Sequence, residues 1–195
     1  MEKETLKRIF EFIEKKEEHR IPLKWKLINN IPLIEGDLNV KGDLYLEYTN
    51  ITSLPEGLKV GGNLDLSYTN ITSLPKGLEV GGDFMLYFSK ITSLLDNLQV
   101  GGNLYLSNSK ITSLPEGLKV GGYFDLRNIN ITSLPKNLKV GDDLDLEYTN
   151  ITSLPKGLEV GNSLYINNTP LKKYTDEELR DMIKPGFIKG KIYRK

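Results

Sequence analysis

LDLSYTNITSLPKGLEVGGD, residues 64–83, is one copy of a motif that fills most of this chain. Its central phrase, Ile-Thr-Ser-Leu-Pro, recurs at 51–55, 71–75, 111–115, 131–135 and 151–155, and Ile-Thr-Ser-Leu-Leu occupies 91–95. The step between successive copies is 20 residues, without insertion or deletion. A fixed period this short is typical of a solenoid, in which each turn of chain contacts only its neighbours. Strict repetition favours the display of a surface over catalysis, which needs a few different groups converging on one point.

The motif predicts two short strands in each turn. Apolar and polar side chains alternate across 64–67 and again across 78–80, the period of a strand with one buried face. Gly81 and Gly82 follow the second segment and predict a corner, because glycine adopts backbone angles that other residues avoid. Six side chains per turn are expected to point inward, in this copy Leu64, Leu66, Ile71, Leu74, Leu78 and Val80. Their burial alone stabilises one turn by less than the ordering of its backbone costs, so stacking must supply the remainder.

We therefore predict one mainly β domain over residues 1–195, a parallel β-solenoid with a cap at each end. Its parts are an N-terminal helix (1–20), a degenerate repeat (21–43), the regular repeats (44–170) and a C-terminal cap (171–195). The helix is indicated by a helical stripe of apolar residues, Leu6, Ile9, Phe10 and Ile13. In the C-terminal cap, Thr175 and Glu178 have the spacing of a capping box, and 187–193 alternates like one edge strand.

Written from Leu64, the repeat is L-x-L-x-x-T-x-I-T-S-L-P-x-x-L-x-V, which resembles the leucine-rich-repeat signature. Its 20-residue length is most similar to the short bacterial repeats of the IpaH and YopM secreted effectors. The -VGG-L-x-L- variant is similar to repeats of uncharacterised bacterial and phage proteins. The resemblance covers about 40–170 and implies a leucine-rich-repeat solenoid that binds proteins. The ubiquitin-ligase activity of such effectors uses a cysteine, which this chain lacks, and does not carry over.

Two departures from that family leave the shape of the coil open. The ladder asparagine of the family is replaced at Thr49, Thr69, Ser89, Ser109, Ile129, Thr149 and Thr169. A hydroxyl reaches less far than an amide, so the turn after the strand is expected to differ. Glycine also stands where the family has its first leucine. The coil is therefore either a leucine-rich repeat or a two-sheet β-helix.

Composition excludes several classes of function. Lys and Arg together number 26 and balance 26 Asp and Glu, so no overall field attracts nucleic acid or an anionic membrane. The chain has no cysteine, no apolar run long enough to span a bilayer and a charged N-terminus, which predicts a cytoplasmic protein without cofactors. His19, the single histidine, has no neighbouring base or nucleophile in the sequence, so no catalytic or metal site is predicted. Asp65, Asp125 and Asp145 share one column and are expected to be solvated acids.

The outward side chains of the first strand vary most between repeats. Aromatic residues and Met converge on the N-terminal half of this face and form the predicted partner-binding residues Tyr45, Tyr48, Tyr68, Met85, Tyr87, Phe88 and Tyr105. We predict a non-enzymatic protein-binding module, in the setting of a phage or bacterial inhibitor that acts by occlusion. The alternatives are a purely structural role for these aromatics, an ice-binding or structural solenoid with rows of Thr and Asn, and a small-ligand-binding solenoid.

Overall fold

A computed structural model describes residues 4, 5, 8 and 21–194. Glu4, Thr5 and Arg8 are helical, whereas the apolar stripe of the predicted N-terminal helix and His19 lie outside the described residues. None of the helices in these residues is long and apolar enough to cross a membrane.

The described part of the chain forms two eight-stranded parallel sheets, and each coil gives one two-residue strand to each sheet. Sheet A contains β1 (Asn39–Val40), β3 (Lys59–Val60), β5 (Glu79–Val80), β7 (Gln99–Val100), β9 (Lys119–Val120), β11 (Lys139–Val140), β13 (Glu159–Val160) and β15 (Phe187–Ile188). Sheet B contains β2 (Leu44–Tyr45), β4 (Leu64–Asp65), β6 (Phe84–Met85), β8 (Leu104–Tyr105), β10 (Phe124–Asp125), β12 (Leu144–Asp145), β14 (Leu164–Tyr165) and β16 (Ile192–Tyr193). The mainly β, parallel solenoid is confirmed, and its two strands per coil form two sheets, as in the β-helix alternative.

The core is a single stack of apolar side chains between the two sheets and the irregular third side of each coil. All six inward positions predicted for the coil that begins at Leu64 are buried. Strand register keeps equivalent residues in line: Val60 pairs with Val80, and Leu64 pairs with Phe84. Each coil therefore packs its apolar residues directly on those of the next.

The corner between the sheets explains the glycine pairs. A Cβ atom placed on Gly61 would lie 2.7 Å from the carbonyl oxygen of Lys41, well inside van der Waals contact. Two residues later, an Asp or Asn side chain of one coil accepts a hydrogen bond from the backbone of the next. Asn63 N–H donates to Asp43 Oδ1, and Asp83 N–H donates to Asn63 Oδ1, both at 2.7 Å. Alternating Asp with Asn keeps like charges from stacking directly on each other.

The threonines of the hydroxyl row, Thr49, Thr69, Thr149 and Thr169, each close a turn within their own coil. Thr69 Oγ1 donates to the carbonyl oxygen of Leu66 at 2.8 Å, and Thr149 Oγ1 donates to that of Leu146 at 2.7 Å. Both threonines are buried.

The N-terminal cap contains a helix that the sequence pattern did not predict. Helix α1 (Leu23–Ile28) lies inside the degenerate repeat, and a 3-10 turn follows at Glu35–Leu38. Lys26 Nζ lies 2.8 Å from Asp37 Oδ2, and both side chains are buried. Asp37 also accepts the backbone N–H of Ile34 at 2.8 Å. This ion pair fixes the helix to the first coil.

The C-terminal cap is confirmed as helix plus strand, with one correction. Helix α2 (Asp176–Met182) begins at Thr175, and the predicted capping box is present: Glu178 N–H donates to Thr175 Oγ1 at 3.2 Å. The segment 187–193 is not one edge strand but a further corner, with β15 in sheet A and β16 in sheet B. Phe187 pairs with Glu159, 28 positions earlier, so α2 occupies an eight-residue extension of the last coil.

One side chain of α2 closes the free edge of sheet A. Arg180 Nη2 donates to the carbonyl oxygen of Gly190 at 2.7 Å, and Nη1 donates to that of Ile188. In the preceding coil the equivalent carbonyl groups accept hydrogen bonds from the last coil. Arg180 thus occupies the position that a further coil would take.

Candidate functional site

Six of the seven predicted binding residues lie in two rows on the outer face of sheet B, and the seventh, Tyr87, lies in sequence between these rows. The strand row consists of Tyr45, Asp65, Met85, Tyr105, Asp125, Asp145 and Tyr165, the outward residues of the strands. The turn row consists of Tyr48, Tyr68, Phe88, Asn108, Asn128, Tyr148 and Asn168, and all seven have positive φ between 51° and 59°. The turn row was expected on the strand itself. It lies instead in the turn after the strand, in left-handed conformation.

Three consecutive members of the turn row form an exposed stack, which we call the aromatic ridge: Tyr48, Tyr68 and Phe88. The ring centroids of Tyr48 and Tyr68 are 4.6 Å apart, and those of Tyr68 and Phe88 are 4.8 Å apart, with interplanar angles of 11° and 17°. The three residues are 74%, 43% and 50% exposed. Because the rings stack along the solenoid, the inner faces cover each other and the ring edges point to solvent.

A second aromatic series runs beside the ridge and is half-buried. The ring centroids of Tyr87 and Tyr105 are 5.3 Å apart, and those of Tyr105 and Tyr123 are 5.9 Å apart, in tilted arrangements. Burial and the nearby Asp125 carboxylate raise the pKa of the Tyr87 and Tyr123 hydroxyls, so both remain neutral donors. Tyr123 was not among the predicted residues. It occupies a corner position that holds Asp or Asn in most other coils.

The carboxylates in the strand row correct an expectation. Asp125 and Asp145 are buried, not solvated. Arg127 Nη2 lies 2.8 Å from Asp125 Oδ2, and Arg127 Nε lies 2.9 Å from Asp125 Oδ1, a bidentate pair. Arg127 Nε is also 3.5 Å from Asp145 Oδ2, which accepts the Tyr123 hydroxyl at 2.9 Å. The alternating pattern correctly places these side chains on the outer face. It does not reveal that Arg127 and the tyrosines on that face bury them.

This network shifts the pKa of two of its members. The hydrogen bonds to Asp125 raise the pKa of the Arg127 guanidinium above its usual range. Burial raises the pKa of the Asp145 carboxyl, although the hydrogen bonds from the Glu147 backbone and Tyr123 act in the opposite direction. The charge of Arg127 is therefore fixed and neutralised locally by Asp125.

The remaining predicted residues, Tyr45 and Met85, lie in the strand row. Tyr45 is exposed, and its hydroxyl donates to Asp43 Oδ2 at 2.9 Å. Met85 is partly buried between Asp65 and Tyr105 of the adjacent strands. All seven predicted residues thus share one side of the solenoid. Tyr165 and Tyr193 add a further stack at its C-terminal end, with centroids 4.8 Å apart.

The balanced composition conceals a charge difference between sides. The segments that form the corner, strand and turn of sheet B are 42–48, 62–68, 82–88, 102–108, 122–128, 142–148 and 162–168. They contain nine carboxylates and one cation, namely Asp43, Glu47, Asp65, Asp83, Asp125, Asp142, Asp143, Asp145, Glu147 and Arg127. The intervening segments from 49–61 to 149–161 contain eight Lys and five acidic residues. The face with the aromatic ridge is therefore acidic.

Comparison with models of known protein families and with curated protein sequences gives no match. In the described residues, no three His, Cys, Asp or Glu side chains cluster as metal ligands would. The properties of the sheet B face itself are the basis for a functional conclusion.

Proposed function

We propose that this chain is a non-enzymatic protein-binding module that presents the aromatic, acidic face of sheet B to a partner. The resemblance to short bacterial leucine-rich repeats agrees with this role. It suggests a bacterial or phage setting in which the solenoid inhibits its partner by covering it. The acidic character of the face favours a partner with a basic and partly apolar surface.

The observation that carries this proposal is the contrast between two left-handed turns of the same coil. In the second turn the positive-φ residues are all Gly or Asn: Gly57, Gly77, Asn97, Gly117, Asn137 and Gly157. These residue types adopt that conformation most readily. In the turn row, at similar φ, four of seven residues are Tyr or Phe. Local stability alone would favour Asn there as well.

The energies support the same conclusion. A left-handed conformation costs a residue with a side chain about 1–2 kcal/mol, and an aromatic pair restores about 0.5–1.5 kcal/mol. The stacked rings of the aromatic ridge therefore come close to balance at best. Exposed aromatics held at such positions are suited to contact with another molecule, because they contribute most when a partner removes them from water.

The test is affinity capture with the full chain as bait, using the wild type and the double variant Tyr68→Asn, Phe88→Asn. Asn keeps the positive φ and removes the rings. The matched control is Lys59→Ala with Lys139→Ala, on the outer face of sheet A. We expect a protein that binds the wild type and the control alike and binds the ridge variant at least about tenfold more weakly. Equal binding to all three baits would refute the proposal.

A second candidate, an ice-binding or structural solenoid, is favoured by one observation. An uninterrupted exposed row of hydroxyls runs along the third side of the coils, formed by Thr52, Thr72, Thr92, Thr112, Thr132 and Thr152. Its spacing follows the strand spacing of about 4.8 Å. Thermal hysteresis of the wild type that is lost in Thr92→Lys, Thr112→Lys would establish this role, in which the aromatic ridge takes no part.

The small-ligand alternative has less support. A depression of about 830 Å³ lies outside sheet A, away from the aromatic ridge. Its lining combines Lys, Glu and Asp side chains and glycine backbone with several Leu and Val residues, and it contains no aromatic side chain. A small-molecule site normally combines an apolar lining with a few polar groups.

A further inference from the structure

The turn row contains a gap, which we call the notch, between Phe88 and Tyr148. Asn108 and Asn128 occupy the two intervening coils, and their short side chains leave a depression of about 490 Å³. Its lining is completed by Ser107, Arg127 and Tyr148. Phe88 and Tyr148 are the aromatic residues of the turn row on either side of these asparagines, and Tyr148 lines the depression directly.

The floor of the notch offers hydrogen-bonding groups of both kinds. Asn128 Nδ2 donates to Asn108 Oδ1, which leaves Asn108 Nδ2 as a donor and Asn128 Oδ1 as an acceptor. Asp125 engages Nε and Nη2 of Arg127, and Nη1 has no hydrogen-bond partner among the described residues. Alternating donors and acceptors of this kind match the N–H and C=O groups of a polypeptide backbone.

The charge around the notch restricts what can bind. Asp125 neutralises Arg127, so the guanidinium does not form an anion site. The coil on the C-terminal side, 142–148, contributes four carboxylates, and Glu147 next to Tyr148 is only partly buried. A cation entering the notch would meet this negative field and the face of Tyr148. Both interactions are attractive for Lys or Arg.

We propose that the notch binds an extended, basic peptide segment of the protein partner, an inference that rests on the proposed function. Three coil steps, about 14 Å, separate Phe88 from Tyr148 in the turn row. An extended chain with its alternating side chains is about 10 Å wide. Its carbonyl groups accept from Arg127 and Asn108, its N–H groups donate to Asn128, and a Lys or Arg side chain lies over the face of Tyr148.

The test uses a displayed library of random linear peptides, selected on the immobilised full chain. Asn108→Tyr with Asn128→Tyr fills the notch and prolongs the aromatic ridge, using residues that the turn row already accepts in other coils. Asn168→Tyr makes the same change outside the notch and is the control. We expect peptides rich in Lys and Arg that bind the wild type and the control equally. They should bind the filled variant at least about tenfold more weakly and lose affinity in high salt.

Folding of each variant is checked by circular dichroism and thermal melting. If the filled variant does not fold, Asn108→Gly with Asn128→Gly removes the amide groups at positions where glycine tolerates positive φ, and the same loss of binding is expected. No enrichment, or enrichment of acidic peptides, overturns the inference. Binding of arrayed oligosaccharides that the filled variant loses overturns it too, in favour of a sugar ligand. Peptides that bind the filled variant as well as the wild type, but lose binding when Tyr68 and Phe88 are replaced, would refute the notch as the binding site. That result would leave the proposed function standing.

Discussion

The outer faces of the two sheets follow the same backbone plan with different chemistry. Both sheets have eight two-residue parallel strands in the same coils. Outside sheet A the strands place long polar side chains, and Lys59–Glu79 and Lys139–Glu159 form ion pairs at 2.8 Å and 2.9 Å that remain largely exposed. Outside sheet B the equivalent positions hold tyrosines, of which Tyr165 and Tyr193 are stacked, and the buried carboxylates of Asp125 and Asp145.

A two-residue strand needs only its inward side chain to build the core, so the outward one is free to vary. Sheet A uses that freedom for solvated pairs, which add little to stability. Sheet B instead buries charge, which is costly unless each carboxylate is paired. The solenoid can be built with the simpler arrangement, and the more costly one on sheet B agrees with the binding role that we propose for this face.

The largest expected effect contrasts one ion pair from each face. Arg127→Ala leaves the fully buried Asp125 without its bidentate partner, and we expect the free energy of unfolding to fall by about 2–3 kcal/mol, since the half-exposed guanidinium moderates the usual cost. Lys139→Ala removes an exposed pair and should cost less than about 0.5 kcal/mol. Urea denaturation measures both. Equal losses would mean that the two faces do not differ as described.

An intermediate effect concerns the aromatic ridge. Tyr68→Asn with Phe88→Asn loses ring stacking and some burial but relieves two left-handed aromatic residues, so unfolding free energy should stay within about 1 kcal/mol of wild type. Thermal melting with far-ultraviolet circular dichroism is the measurement. For comparison, Leu66→Ala in the core beneath should cost about 2–5 kcal/mol. A ridge variant as unstable as the core variant would show that the ridge is structural.

The smallest effect is a pH dependence on sheet B. Burial raises the pKa of Asp145, so the folded state binds this proton at a pH where the unfolded chain has released it. This group therefore stabilises the fold as pH falls toward its raised pKa, and that contribution is lost as pH rises through it. As pH is lowered from neutral toward the ordinary pKa of an aspartate, the wild type should gain stability relative to Asp145→Asn. Parallel pH profiles of the two proteins would contradict the assignment.

The sequence predicted the parts of the fold that follow from local rules. The Val-Gly-Gly corner, the strands on either side of it and the capping box at Thr175 were all predicted and are present. Helix α1 was missed because its apolar residues coincide with a degenerate repeat. The second corner in the C-terminal cap was missed because its sequence, Ile-Lys-Gly-Lys-Ile at 188–192, differs from Val-Gly-Asn-Ser-Leu at 160–164. The two segments are recognised as equivalent only when the strand pairing is known.

The candidate site was predicted in membership but not in arrangement. Aligning residues 20 positions apart correctly predicted that the aromatics share one side of the solenoid. The only sign of the left-handed turn was that Asn108, Asn128 and Asn168 occupy the same repeat position as the turn-row aromatics. Burial of Asp125 could not be predicted from its own strand, because the side chains near its carboxylate, Arg127, Tyr123 and Tyr87, come from other positions of the repeat. Such coverage depends on side chains that cross between coils, and these are the positions where the repeat is least regular.

The hydrogen bonds from Arg180 to two carbonyl groups of the last coil also oppose the addition of a further coil. Parallel strands stacked in register every 4.8 Å or so are the arrangement of an amyloid protofilament, which recruits another copy at each end without limit. Here a side chain from outside the repeats occupies two carbonyl groups of the last coil, Ile188 in sheet A and Gly190 in the corner, and so opposes templated growth along sheet A. The regular period would allow coils to be duplicated or deleted in units of 20 residues, and each such event would move the proposed binding face along the solenoid by one coil.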